Sequence, residues 1–144
     1  MDTHALFQQF VTFTDAVHQA THDFTRDVRD ASITPVQYHI LEYIALHQPV
    51  TLSQISECQQ MSMPNTSREI RKLSEKYLCE KVIADEDRRK QYIRLSPQGE
   101  NMMHEAFARI EERFLARLGR ISASEKEEME QAMDLLAKKI FKHK

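Results

Sequence analysis

Apolar residues recur at intervals of three and four along most of this 144-residue chain, and this helical period restricts it to a mainly α fold. The first apolar stripe covers residues 4–30, and the last two follow Pro97. Only one region departs from this period. Apolar and polar residues alternate there, weakly in Cys79–Ile83 and more clearly in Tyr92–Leu95. We therefore expect six helices and one small β-hairpin.

Polar residues at the expected helix starts divide the chain into its elements. Thr34 with Gln37 and Thr51 with Gln54 form two capping boxes, in which a hydroxyl and a glutamine satisfy the first free N–H groups of a helix. The remaining signals are Ser62 for a fourth helix running to about Tyr77, Ser96-Pro97 for a fifth helix carrying the apolar stripe to Ile121, and Ser124 with Glu127 for a sixth.

The fourth helix has two contrasting faces. Projection at 100° per residue places Thr66, Ile70, Leu73 and Tyr77 on one side, which we expect to be buried. The opposite side and the helix start are polar and mostly basic, with the candidate DNA-binding residues Ser62, Pro64, Asn65, Ser67, Arg68, Arg71 and Lys72.

Composition excludes several classes of protein. The chain has two glycines, too few for a Gly-rich phosphate loop, and two cysteines that form no CxxC pair. It offers no Ser-His-Asp or Cys-His arrangement for nucleophilic catalysis, and no apolar run of membrane-spanning length. We therefore expect no enzyme, no cofactor, no metal site and no membrane partner, and a cytoplasmic location.

Charge is unevenly distributed. The formal net charge is −2, but residues 62–94 contain nine basic side chains and six acidic ones. A local basic surface can attract phosphates while the rest of the protein stays acidic. An ordinary solvated charged face is the alternative explanation of the same counts.

The order of elements indicates a winged helix-turn-helix, since two short helices separated by a turn precede a hairpin with a charged tip. An α-helix fits the major groove of DNA, and a hairpin tip can reach the adjacent minor groove. The tip residues Arg88, Arg89 and Lys90 thus join the candidate DNA-binding set, and double-stranded DNA is the expected partner.

Two segments carry a resemblance to a known family. TPVQYHIL at residues 34–41 and DRRKQYIRLSPQG at 87–99, in this order around the helix-turn-helix, resemble the MarR family of transcriptional regulators. The resemblance implies a homodimeric repressor that binds a palindromic operator and releases it in response to a small-molecule effector. It also implies that Arg89 enters the minor groove and that Asp87 orients it. Tyr77 stands at the end of the fourth helix, where the family usually has glycine. A residue other than glycine disfavours a left-handed cap at that position.

The terminal helices are expected to form the dimer. We predict one domain with a DNA-binding lobe at 34–96, flanked by dimerisation helices at 1–30 and 97–144. A small winged core cannot bury all the apolar stripes of these helices, so a second copy should cover them. The residues assigned to that interface are Leu6, Phe10, Phe13, Val17, Leu118, Met133, Leu136 and Ile140.

Other features leave alternatives open. A metal-responsive regulator would use histidines, of which His18 and His22 are four residues apart and His39 resembles a ligand position of a zinc-sensing branch. A thiol-responsive regulator would use Cys58 or Cys79.

Four methionines fit core packing better than a ligand pocket, namely Met102, Met103, Met129 and Met133. A helical dimerisation module without DNA binding is the remaining alternative.

Overall fold

The computed structural model describes residues 2–83 and 91–142, and within them it confirms the mainly α fold with a small antiparallel sheet. Contacts divide the chain into two compact units, residues 1–111 and 112–144. The elements are α1 (Thr3–Thr25), α2 (Pro35–His47), β1 (Val50–Thr51), α3 (Leu52–Gln59), α4 (Met63–Glu75), β2 (Cys79–Ile83), β3 (Gln91–Leu95), α5 (Pro97–Leu118), α6 (Ala123–Leu136) and a π-helical turn (Ala137–Phe141).

Both predicted capping boxes are present. At α2 the Thr34 hydroxyl accepts from the Gln37 N–H at 3.1 Å, and the Gln37 side chain accepts from the Thr34 N–H at 3.1 Å. Thr51 and Gln54 make the same pair of bonds at the start of α3. These bonds satisfy N–H groups that would otherwise lack a partner, so each helix begins at a defined residue.

Several predicted helix ends were wrong. The first helix ends at Thr25, because Asp27 adopts a left-handed φ of 61°, and Val28 is buried in the connection that follows. The fifth ends at Leu118, before Gly119 at φ 67°, so Ile121 lies outside it.

The predicted cap of the sixth helix was also displaced. Ser122 and Glu125 form its capping box, in place of Ser124 and Glu127, with the Ser122 hydroxyl accepting from the Glu125 N–H at 3.0 Å. The sequence offers acceptable cap and third-residue pairs at both registers, so the local signal did not separate them.

The sheet contains one strand more than the predicted hairpin. β3 lies in the centre and pairs antiparallel with β2 on one side and with β1 on the other. Sequence reasoning missed β1 because it is only two residues long, and Thr51 at its end is also the cap of α3. A period of two cannot be recognised over two residues.

The hydrophobic core lies in the first unit and joins α2, α3, α4, the sheet and the first half of α5. Its largest fully buried side chains are Ile40, Leu41, Ile44, Val50, Ile55, Thr66, Leu73, Leu78 and Met103. α1 contributes no buried residue and neither does α6. The helices predicted to form the interface thus leave much apolar surface uncovered within one chain.

The end of α4 corrects two expectations about Tyr77. It does not lie on the buried side of the helix, since it is 75% exposed, and its φ of 62° is left-handed despite the missing glycine. The Tyr77 N–H donates to the Ser74 carbonyl at 3.0 Å and the Leu78 N–H donates to the Leu73 carbonyl at 2.9 Å. This pair of bonds is a Schellman motif, which ends the helix at Glu75 and directs the chain into β2.

We predict that Tyr77→Gly raises the free energy of unfolding by roughly 0.5–1 kcal/mol, because a left-handed backbone strains any residue with a Cβ. Chemical denaturation followed by circular dichroism measures the change. Glu75→Gly is the control, since glycine inside a helix lowers stability by roughly 0.5–1 kcal/mol. A loss of stability in Tyr77→Gly would show that the aromatic ring contributes more than the strain costs.

The start of α5 lies directly against the start of β2. Ser96 donates its N–H to the Leu78 carbonyl at 3.1 Å and its hydroxyl to the Tyr77 carbonyl, and it accepts from the Gly99 N–H at 3.0 Å. A Cβ at Gly99 would lie 1.9 Å from the Leu78 carbonyl oxygen. Only glycine permits this approach of the two backbones.

Gly99→Ala is therefore expected to lower stability by about 1–3 kcal/mol, as overpacking of a buried site does. Gly119→Ala is the matched control, because nothing lies within 4 Å of a Cβ there and only its left-handed φ is strained. Thermal unfolding of both variants tests the difference. A Gly99→Ala variant that melts at the temperature of the parent protein would contradict a role for close packing at Gly99.

Candidate nucleic-acid interface

The beginning of α4 is fixed by hydrogen bonds at Ser62 and Thr66. The Ser62 hydroxyl accepts from the Asn65 N–H at 3.2 Å, and the buried Thr66 hydroxyl donates to the Ser62 carbonyl at 2.8 Å. Ser62, predicted to contact DNA, thus uses its side chain as the helix cap. The cap holds the first turn of α4, whose side chains come closest to base edges when a recognition helix enters the major groove.

The two faces of α4 agree with the helical projection, apart from Tyr77. Thr66, Ile70 and Leu73 are buried in the core. The predicted DNA-binding side chains on this helix are all exposed on the other side, namely Pro64, Asn65, Ser67, Arg68, Arg71 and Lys72. α4 therefore presents a continuous polar face that carries three cationic groups.

Two contacts organise side chains on this exposed face. The Arg68 guanidinium donates to the Asn65 side-chain oxygen one turn earlier, so two of the predicted DNA-binding residues contact each other. The Lys72 ammonium lies 3.5 Å from a Glu69 carboxylate oxygen. Such exposed contacts contribute little stability, so both cations remain available for a phosphate or a base.

A cleft of about 620 Å³ separates the outer side of α4 from the sheet. Ser67 and Arg71 line it from the helix, and Lys81 and Gln91 line it from β2 and β3. Arg94, counted above among the basic residues, is paired across the strands with Glu80 at 2.8 Å. The cationic groups that line the cleft are therefore Arg71 and Lys81, and Glu80 lines it with one carboxylate.

The predicted wing residues Asp87, Arg88, Arg89 and Lys90 lie outside the described residues, so their assigned roles stay predictions. What the structure does describe is the base of the hairpin. There Val82 pairs with Tyr92 and Ile83 pairs with Gln91.

The two cysteines have different surroundings. Cys79 is buried, and its sulfur lies 3.5 Å from the Ser74 hydroxyl oxygen. Burial raises the pKa of the Cys79 thiol above its usual value, which disfavours the reactive thiolate. Cys58 is exposed, so a thiol-responsive regulator would depend on Cys58 rather than Cys79.

The histidines and methionines are distributed over separate surfaces. His18, His22 and His39 are exposed, and in the described part of the chain no three potential ligand side chains lie close enough to share a metal ion. Met103 is a core residue, but Met129 and Met133 are 38% and 60% exposed. The expectation that these two fill the core of the chain was therefore wrong.

Sequence reasoning missed one set of contacts behind the interface. It assigned Gln37 only to the cap of α2, whereas its side chain also contacts α4 through Glu69 and Lys76. The sequence carried no local signal for these contacts, because the partners lie 32 and 39 residues away.

None of the helices that the structure describes has both the length and the apolarity that a bilayer span requires. Among curated proteins, no sequence matches this chain significantly.

Comparison with known families and folds agrees with the geometry. A MarR-family model matches residues 31–90, from the α2 cap into the hairpin. A MarR family protein from Bacillus stearothermophilus has a TM-score of 0.78 at 17% identity, with 99% of each chain covered. Staphylococcus aureus MarR in complex with salicylate and kanamycin has a TM-score of 0.68 at 22% identity, with 97% of this chain and 95% of that chain covered.

A third solved structure is a variant of S. aureus MepR bound to an oligodeoxyribonucleotide. It has a TM-score of 0.58 at 20% identity, with 96% of this chain and 98% of that chain covered. At these identities the likeness to solved structures shows the fold. Residues 31–90 are thus similar to the MarR family, and the chain has the winged helix-turn-helix fold of these solved structures.

Proposed function

We propose that this protein is a homodimeric, sequence-specific DNA-binding transcriptional regulator. The exposed face of α4 carries the proposal, because it presents amide, hydroxyl and guanidinium groups from a helix whose other face is fixed in the core. The MepR structure bound to an oligodeoxyribonucleotide supports DNA as the ligand of this fold.

In this proposal α4 enters the major groove. Asn65, Ser67 and Arg68 lie in its first turns and read base edges, for which arginine and asparagine have suitable bidentate geometry. Arg71 and Lys72, farther along the same face, neutralise phosphates. The wing residues Arg88, Arg89 and Lys90 would add minor-groove and backbone contacts, with Asp87 orienting Arg89.

A second copy of the chain would cover the terminal helices. Leu6, Phe13 and Val17 of α1 are 57%, 43% and 46% exposed. In the second unit Met133 and Ile140 are 60% and 50% exposed. Phe10, Leu118 and Leu136, the other residues assigned to the interface, are half-buried. Exposed apolar surface of this kind is typical of a chain that associates with itself.

We also propose that the dimer is a repressor that binds a palindromic operator, and that a small molecule causes it to release the DNA. A symmetric dimer presents two recognition helices, so its preferred site should have matching half-sites about one helical turn apart. The S. aureus MarR structure in complex with salicylate and kanamycin supports small molecules as effectors. Such an effector would act by changing the spacing of the two helices.

Arg68→Ala tests the base-reading role. We expect its affinity for duplexes enriched from a random pool by the parent protein to fall by about 1–3 kcal/mol, the contribution of a bidentate base contact. Affinity for unselected duplex should fall much less, and fluorescence anisotropy measures both. Arg120→Ala, which removes the same charge from the exposed loop after α5, is the control. Equal losses of affinity for both duplexes would show that Arg68 contacts phosphates and does not read bases.

Phe13→Glu tests the dimer. A charge placed on the apolar stripe of α1 would be buried without a partner in an interface, so we expect dissociation to monomer. Gln8→Glu adds the same charge on the opposite face of α1 and should leave the assembly unchanged. Sedimentation velocity distinguishes the states. A parent protein that sediments as a monomer, or a dimeric Phe13→Glu, would refute the assigned interface.

A further inference from the structure

The side chain of Gln37 connects the start of α2 to the recognition helix. It is 3% exposed, and its oxygen accepts from the Thr34 N–H and from the Lys76 ammonium, both at 3.1 Å. Its amide nitrogen donates to a Glu69 carboxylate oxygen at 3.1 Å. One buried amide thus bonds to its own helix and to two residues of the α4 region.

The two contacts on the α4 side lie seven residues apart, two helical turns along the same side. Lys76, at the C-cap, also donates to the Ser32 carbonyl at 2.7 Å, in the connection before α2. The second Glu69 oxygen lies 3.5 Å from the Lys72 ammonium, on the exposed face. Three hydrogen bonds and one ion pair therefore connect the α1–α2 connection to a cation on the exposed face of α4.

We propose that Gln37 is a positioning residue for DNA binding, which sets the orientation of α4 on the core and places Lys72 through Glu69. This rests on the proposed function. Attachment at two points two turns apart resists both rotation of α4 about its axis and tilting of that axis. Apolar packing of Thr66, Ile70 and Leu73 holds the helix on the core, but it is less directional than hydrogen bonds.

The capping box alone does not explain a glutamine at this position. Glutamate performs the same capping function, as Glu125 does at the start of α6. Only an amide offers an acceptor to Thr34 and Lys76 and, at the same time, a donor to Glu69. The choice of Gln37 over glutamate follows from the contact with α4.

Gln37→Glu separates the two roles. A glutamate can still cap α2 and accept from Lys76, but it cannot donate to Glu69, and the two carboxylates repel each other. We expect the affinity for duplexes enriched by the parent protein to fall at least fivefold. Affinity for unselected duplex, which depends on general electrostatics, should change less than twofold.

Glu69→Gln supplies the compensating change. In the double variant Gln37→Glu/Glu69→Gln, the new amide at 69 donates to the carboxylate at 37, so the bond is restored with donor and acceptor exchanged. We expect affinity for the enriched duplex to return to within twofold of that of Glu69→Gln alone. This comparison cancels the separate effect of removing the charge beside Lys72.

Gln54→Glu is the matched control, because Gln54 occupies the same position in the capping box of α3 and donates to no described residue of α4. It makes the same chemical change and should leave affinity for the enriched duplex within twofold of the parent. Amide hydrogen exchange along α4 gives a readout without DNA. Exchange should be faster in Gln37→Glu and return toward the parent rate in the double variant.

Two results would overturn the proposal: a Gln37→Glu variant that binds the enriched duplex as tightly as the parent, or a double variant that fails to recover. The second would mean that the buried charge, and not the lost bond, causes the effect. If the parent enriches no duplex, the proposed function fails. The exchange rates then decide whether Gln37 still holds α4, and unchanged rates would overturn that role as well.

Discussion

The burial of one face of α4 is the constraint on which the rest of the structure depends. Thr66, Ile70 and Leu73 enter the core, and this fixes which residues of the helix face solvent. The polar surface is therefore a consequence of apolar packing on the other side. The Ser62 cap and the turn at Tyr77 set where this face begins and ends, so local hydrogen bonds determine its length.

Features determined within a few residues were predictable from the sequence. The capping boxes at Thr34 and Thr51 and the two faces of α4 follow from spacings of three and four, and the structure contains them. Errors arose where two local signals competed, as at Ser122 and Ser124, or where an element was too short to have a period, as with β1.

Contacts between distant segments were not predictable. In the sequence Gly99 is one of two glycines and ends the segment that resembles the MarR family, but neither fact shows that it packs against the Leu78 carbonyl 21 positions earlier. The bond from Gln37 to Glu69 likewise joins segments 32 residues apart. In the candidate interface the sequence therefore identified the exposed side chains of α4, but not the buried amide behind them.

The small sheet also has a consequence for the behaviour of the protein at high concentration. A strand with a free edge can pair with the same strand of another molecule and begin aggregation. Here β3 lies between two neighbours, and just before the two-residue β1 begins, the Gln48 side chain accepts the Leu95 N–H at 2.9 Å. A side chain thus occupies a backbone donor that would otherwise be open to another chain, which protects this side of the sheet from edge-to-edge association.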